Sequence, residues 1–192
     1  MCGKYAIDGL THPVCQSKYA LDGCFIALEY HSVVKKLIYV FKYKPYVKDV
    51  HRIMDDLLYE ALVEKEALIS LLSQERERML IPIPLHQKKL RSRGYNHAAI
   101  LGKTLSQKIN THFSDLLVRE KETRVQFGLS KDERKENMKN VFAIKDNYDM
   151  EGKTVFLIDD IVTTGVTFVE AAKVLKKAGA KRVYGIAFAG EN

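Results

Sequence analysis

The sequence is poor in the features that would place it outside ordinary globular chemistry. It has three cysteines in 192 residues, an odd number and too few for a disulfide framework. No apolar run approaches the ~20 residues of a membrane span. The start, Met1-Cys2-Gly3-Lys4-Tyr5, has no apolar core of a secretory signal, and the expected location is cytoplasmic. There is no internal repeat, no low-complexity stretch and no block of charge of one sign. The formal net charge of +7 is spread over both halves rather than gathered in a basic tail. That charge permits anionic partners without specifying one.

What remains is a chain built to pack. Hydrophobic residues make up 46% and charged residues 29%, which suits one domain of ordinary size with a small appendage. Residues 1–24 hold all three cysteines and little periodicity. From residue 25 the pattern becomes regular. A strand is expected over 25–30 and a helix over 32–43, capped by Ser32, with Val33, Val34, Leu37, Ile38 and Phe41 on one side. Pro45 breaks it. Residues 47–72 keep helical spacing. Residues 79–84 read as a short strand leaving the core at its prolines, and 86–95 as a basic loop. Asn96 caps a helix to about residue 110. A brief strand at 116–118 precedes a polar stretch, 119–140, with a short helix expected from 130 to 139. Residues 155–159 form the strongest strand, 167–178 the strongest helix, and 182–189 a last strand. From residue 78 strands alternate with helices, so the expected fold is α/β with a mainly parallel central sheet.

The segment Thr154–Thr167 carries the most chemistry. Its apolar run Val155–Ile158 suits a central parallel strand, and ligands of open α/β sheets sit at the carboxyl ends of such strands. There the sequence places Asp159 and Asp160, which can accept hydrogen bonds from vicinal sugar hydroxyls and help hold Mg²⁺. Thr163, Thr164 and Thr167 add hydroxyl donors around Gly165 and Val166. Backbone N–H groups at the following helix start lack intrahelical partners and can face a phosphate. The competing reading, a solvated surface turn with a threonine cap, explains less, because every element falls in strand–turn–helix order. A second basic group, Lys88, Lys89, Arg91 and Arg93 with Gly94, lies just past a strand. It reads equally as a diphosphate clamp or as solvated charge. In the polar stretch, Gln126, Arg134 and Asn137 read as loop residues of a site or as helix-surface pairs.

The Asp159–Thr167 segment resembles the phosphoribosyl diphosphate (PRPP) motif of type I phosphoribosyltransferases. Other segments are similar to the ComF/ComFC competence-protein branch of that superfamily: Phe41-Lys42-Tyr43; Ile81-Pro82-Ile83-Pro84-Leu85-His86; Arg93-Gly94-Tyr95-Asn96-His97-Ala98; and Arg124-Val125-Gln126-Phe127-Gly128-Leu129-Ser130 with Arg134 and Asn137. The likeness runs in order over residues 12–189. It departs at His97, where relatives often carry glutamine. The resemblance implies a type I phosphoribosyltransferase-like domain over 25–192, with PRPP held by Asp159, Asp160 and residues 163–167, Mg²⁺ accompanying it, and a mobile active-site loop within 119–140. It also implies a role in DNA uptake beside other competence proteins. Transfer would place the chain among the glycosyltransferases, displacing diphosphate from the sugar with a nitrogen nucleophile. The sequence shows no general base, so no catalytic residue is assigned, and a PRPP-sensing regulator without chemistry is the alternative.

Relatives of this family often open with a small zinc finger of paired cysteines. Here His12-Pro13-Val14-Cys15 has the spacing of a zinc half-site and Cys2 is a third candidate ligand, while the first cysteine pair is incomplete. Cys24, beside Phe25 and Ile26, reads as a buried apolar residue. Residues 35–48 interleave lysines with aromatics, a composition that suits single-stranded DNA, although Phe41 continues the apolar face of its helix and core packing accounts for at least half of these aromatics.

Overall fold

The computed structural model describes residues 8–44, 49–121, 133, 136–145 and 148–191. Five parallel strands form one sheet: β1 (Gly23–Glu29), β2 (Arg78–Pro82), β3 (His112–Phe113), β6 (Thr154–Val162) and β7 (Arg182–Gly190), in the order β1-β7-β6-β2-β3. A separate antiparallel pair, β4 (Leu117–Arg119) and β5 (Phe142–Ile144), stands outside it. The helices are α1 (Ser32–Tyr43), α2 (Val50–Val63), α3 (Glu66–Gln74), α4 (Gln87–Arg93), α5 (His97–Lys108) and α6 (Val166–Lys177).

The side-chain period of a strand explains the layering. On β6, Val155 and Leu157 face one way and join Met79, Ile81, Val183, Phe168, Ala172 and Leu175 under α6. Phe156 and Ile158 face the other way and join Leu80, Tyr184, Ile186 and Phe188 under α1, α2, α3 and α5. Both faces are therefore covered, as a parallel sheet requires. α6 sits close to the sheet because β7 offers Gly185 beneath it. A Cβ there would come within 2.9 Å of the Phe168 ring.

Several local expectations need correction. The helix over 32–43 is present, but Ser32 does not cap it: His31 is the N-cap and makes no side-chain cap bond. Val33 is 75% exposed and lies off the core, while Ile38 and Phe41 are buried. The single helix over 47–72 is two, α2 and α3, because Lys65 leaves helical geometry at φ −87°, ψ 91°. No proline or glycine marks that break. The basic loop at 86–95 is instead the helix α4, capped by the His86 ring on the Lys88 N–H and ending at Gly94. Its sole apolar side chain, Leu90, is partly exposed, so it carries no inward stripe for periodicity to detect. Pro45 and residues 130–132, 134 and 135 lie outside the described residues; of the helix expected over 130–139, residues 133, 136 and 137 are helical.

The N-terminal segment is stitched to the far edge of the sheet. Leu10 bridges Gly23, Thr11 N–H donates to the Asp22 carbonyl, and Asp22 N–H to that of Val183. His12 and Cys15 share one 3₁₀ turn; Cys2 lies outside the described residues. Among the described residues, no three His, Cys, Asp or Glu side chains group closely enough to hold a metal ion. Burial pushes the Cys24 thiol up to about 12, which disfavours the thiolate a metal needs.

Candidate functional site

β2 and β6 run side by side only as far as Pro82 and Ile158, where Ile83 N–H makes a last bond to the Ile158 carbonyl. There the β2 chain turns away into α4. β6 continues along β7 for four more residues, with Asp159 opposite Ala187 and Val162 opposite Gly190. The acid pair therefore does not stand beyond the strand end, as the sequence suggested. It lies inside β6, paired on one flank and open on the other. The open flank is the crevice.

Asp159 is half-buried, and its Oδ1 accepts the Asp160 N–H at 2.8 Å. Burial, then the adjacent Asp160 charge, pushes its carboxyl up to about 7, against the pull of Lys42, the Asp160 N–H and Arg119. Asp160 is 8% exposed. Its Oδ2 meets the Lys42 ammonium from the end of α1 at 2.8 Å, with the two side chains only 11% and 18% exposed. After β6, residues 163–165 make a three-residue turn. Gly165 stands at φ +68°, ψ 2° as N-cap of α6, a left-handed conformation that side chains resist. Val166 opens the helix, Thr163 is exposed, and Thr164 and Thr167 are half-buried near the helix start.

Across the crevice, Lys42, Tyr43, Lys88, Lys89, Ser92 and Arg93 line an open cleft of about 470 Å³ between α1 and α4. Arg93 donates to the Tyr43 hydroxyl at 3.1 Å and stacks over its ring. Arg91, on the same helix, is exposed and does not line the cleft. Gly94 caps α4 at φ +84°. Asn137 is half-buried in the segment before β5, and Gln126 and Arg134 lie outside the described residues.

Sequence reasoning missed three participants. Lys42, assigned above to an interleaved basic-aromatic stretch, is the ion-pair partner of Asp160. Arg119, on β4, is a largely buried cation. Burial holds its pKa below the ordinary arginine value, while Asp159 pulls it back up. His97 is 2% exposed, and neither ring nitrogen makes a well-formed hydrogen bond among the described residues. It packs against Phe41 (5.0 Å) and Tyr95 (4.6 Å). Burial lowers its pKa; the Arg93 and Lys42 charges add to the drop and Asp160 opposes it. The ring is therefore neutral at pH 7. Asn96 sets its position, accepting from Ala98 N–H at 3.1 Å and donating to the Ile83 carbonyl at 3.0 Å. That bond ties the start of α5 to the end of β2. None of these three side chains adjoins the acids in sequence, and only the fold brings them there.

A parallel sheet with an acid pair, a tight turn and a helix start at the carboxyl end of its central strand is the setting in which family comparison becomes informative. The model of the phosphoribosyl transferase domain matches residues 96–191, half of the chain. The chain belongs to that family. Competence protein F of Haemophilus influenzae is 33% identical over 142 residues, covering 72% of this chain and 61% of that protein. The DNA utilization protein YhgH of Escherichia coli K12 is 33% identical over 105 residues, 54% of this chain and 45% of that protein. The matched stretch thus spans about half to three-fifths of these relatives. Among solved structures, the glutamine PRPP amidotransferase of B. subtilis, complexed with ADP and GMP, aligns with a TM-score of 0.48 and 16% identity, over 78% of this chain and 30% of that one. The ComF resemblance and the type I phosphoribosyltransferase-like fold expected from sequence both hold. No helix among the described residues is long and apolar enough to cross a membrane.

Proposed function

We propose that this ComF-family chain binds PRPP with Mg²⁺ at the open flank of β6, as the ligand step of a phosphoribosyl transfer. The observation that carries this reading is the acid pair held in a strand whose end is followed within three residues by a left-handed glycine and a helix start. Asp159 and Asp160 accept from the ribose hydroxyls. The N–H groups at the start of α6, with Thr163, Thr164 and Thr167, hold the 5′-phosphate. Carboxylate oxygens are the hard donors magnesium takes, and the strand already orients Asp159 through its bond to Asp160 N–H. Bound there, magnesium would neutralise the diphosphate. Lys88, Lys89 and Arg93 in the cleft, with Arg119 facing Asp159, supply the protein's share of positive charge. Among the described residues of the crevice, no side chain is assigned as a general base. Transfer would therefore rest on positioning and on charge stabilisation of the departing diphosphate.

Calorimetry of the full chain with PRPP, with and without Mg²⁺, tests the ligand. Saturable binding that magnesium strengthens is expected, and no heat at millimolar PRPP would sink the reading. Diphosphate release on addition of a nitrogen nucleophile then separates a transferase from a PRPP-sensing regulator.

A second reading, single-stranded DNA binding, has its own observation. Tyr39 and Tyr43 are 56% and 53% exposed and lie 5.1 Å apart on one face of α1, and Tyr43 lines the cleft with Lys42, Lys88 and Lys89. Exposed rings beside cations suit stacked bases and a phosphate backbone. Oligonucleotide affinity should fall steeply with salt. A double Tyr39→Ala, Tyr43→Ala variant should lose about tenfold or more, since stacking is worth ~1–3 kcal/mol per base. Unchanged affinity in that variant would refute this surface.

A further inference from the structure

One residue belongs to both halves of the crevice. Lys42 is ion-paired with Asp160 at 2.8 Å and also lines the cationic cleft with Tyr43, Lys88, Lys89, Ser92 and Arg93. Its neighbours in sequence are fixed. Phe41 is 1% exposed, its carbonyl accepts from the Tyr95 hydroxyl at 3.0 Å, and its ring packs edge-on against His51 and His97, each at 5.0 Å. Tyr43 is held by Arg93. The backbone of 41–43 is therefore anchored on both sides of Lys42. The lysine side chain alone, a charge on a flexible four-carbon stem, is free to choose between the acid and the cleft.

We propose that Lys42 is an exchangeable counter-ion: it masks Asp160 in the free protein and passes to the incoming diphosphate, uncovering the carboxylate for ribose and magnesium. The inference rests on the PRPP reading above. Its physical basis is charge balance. In the free crevice Asp160 is nearly buried, and a lone carboxylate there would be costly, so an internal ammonium offsets it. A ligand bringing magnesium and sugar hydroxyls needs that same oxygen. It also brings phosphate oxygens, which offer the displaced ammonium a charge-assisted bond in return. The exchange couples the two ends of one ligand. Magnesium alone must evict Lys42 with nothing to receive it, whereas magnesium with diphosphate does not. The free protein should thus discriminate against bare metal.

Removing the ammonium tests this, because the proposal requires effects of opposite sign. In Lys42→Met, Mn²⁺ alone, followed by calorimetry or by its electron paramagnetic signal, should bind several-fold more tightly than in the parent. Inorganic diphosphate with Mg²⁺ should bind about tenfold or more weakly, the loss of one charge-assisted bond. Lys42→Arg keeps the charge and should leave bare-metal binding as weak as in the parent. Lys88→Met provides the contrast: weaker diphosphate binding with bare-metal affinity unchanged. A single cooperative melting transition in every variant, lower for Lys42→Met because Asp160 loses its counter-ion, excludes loss of fold. If Lys42→Met weakens both ligands together, Lys42 merely holds the site in shape, and the exchange is refuted while the PRPP reading stands. If it strengthens neither, or leaves diphosphate untouched, the exchange is likewise refuted. If the parent itself does not bind magnesium–PRPP, the underlying reading fails and the exchange falls with it.

Discussion

Asp159→Asn is expected to make the protein more stable at neutral pH and to weaken magnesium–PRPP binding by about tenfold or more. Both effects follow from one carboxyl. In the folded chain Asp159 keeps its proton up to about pH 7, and in the unfolded chain only to about pH 3.9. Between those values unfolding releases a proton. Stability therefore falls as pH rises from ~4 to ~7 and is level above that. Asparagine has no proton to lose and still offers an oxygen to the Asp160 N–H, so the variant escapes the penalty. Allowing for residual solvent at this half-buried side chain, the gain at pH 8 is ~2 kcal/mol, or about 4–8 °C in melting temperature, and it vanishes near pH 4. Binding moves the other way. A ribose hydroxyl and a metal both require the ionised carboxylate, and a hydrogen bond to a charged group contributes ~1.5–3 kcal/mol. Parent affinity should rise about fivefold from pH 6 to pH 7 and about tenfold by pH 8, then level off, while the variant stays weak and shows no such rise. Melting curves and calorimetry at pH 6 and 8 check both halves. A variant that binds as tightly as the parent would remove Asp159 from the site. A residue that destabilises its own fold yet sustains binding is the signature of a functional group.

Phe168→Ala is expected to cost ~3–5 kcal/mol, lowering the melting temperature by at least about 6 °C. The ring is 1% exposed and lies over Gly185. Phe168 is also the residue directly after Thr167, so it fixes how the start of α6 is aimed at the crevice. The cavity should therefore weaken PRPP binding without touching any ligand contact. The reciprocal change, Gly185→Ala, forces a methyl to within 2.9 Å of the same ring and should destabilise as well. In the double variant the added methyl partly fills the space the ring vacates. The combined cost should be smaller than the sum of the single costs. Strict additivity would show that these two residues do not share one packing site.

What could be read without the structure was whatever local chemistry dictates. The apolar run before Asp159 and the Asn96 cap are each decided within a few residues, and each stands where expected. The acids were identifiable by type, but not their setting. Two adjacent aspartates look like the end of a strand. Only β7, which continues to Gly190 beside them, keeps them inside β6. α4 was invisible because a surface helix of lysine, arginine and glutamine has no stripe. Lys42, Arg119 and His97 come from α1, β4 and α5, far apart in the chain. Their convergence on the acid pair is a property of strand order, which no spacing in the sequence encodes.

The position of the acid pair on β6 also sets its timetable. β6 is the middle strand of the sheet, and its partners β2 and β7 lie on opposite sides of it in the chain. Up to Ile158 it cannot fray alone: to expose that backbone, flanked by β2 and β7, the sheet itself must come apart. Amides on this strand belong to the slowest-exchanging unit of the molecule. By contrast, the cations that act on the acids, Lys42 from α1 and Arg119 from β4, do so through their side chains. The crevice is then a fixed floor met by cations on flexible stems. Whatever gates the entry of a ligand acts on the cations, never on the carboxylates.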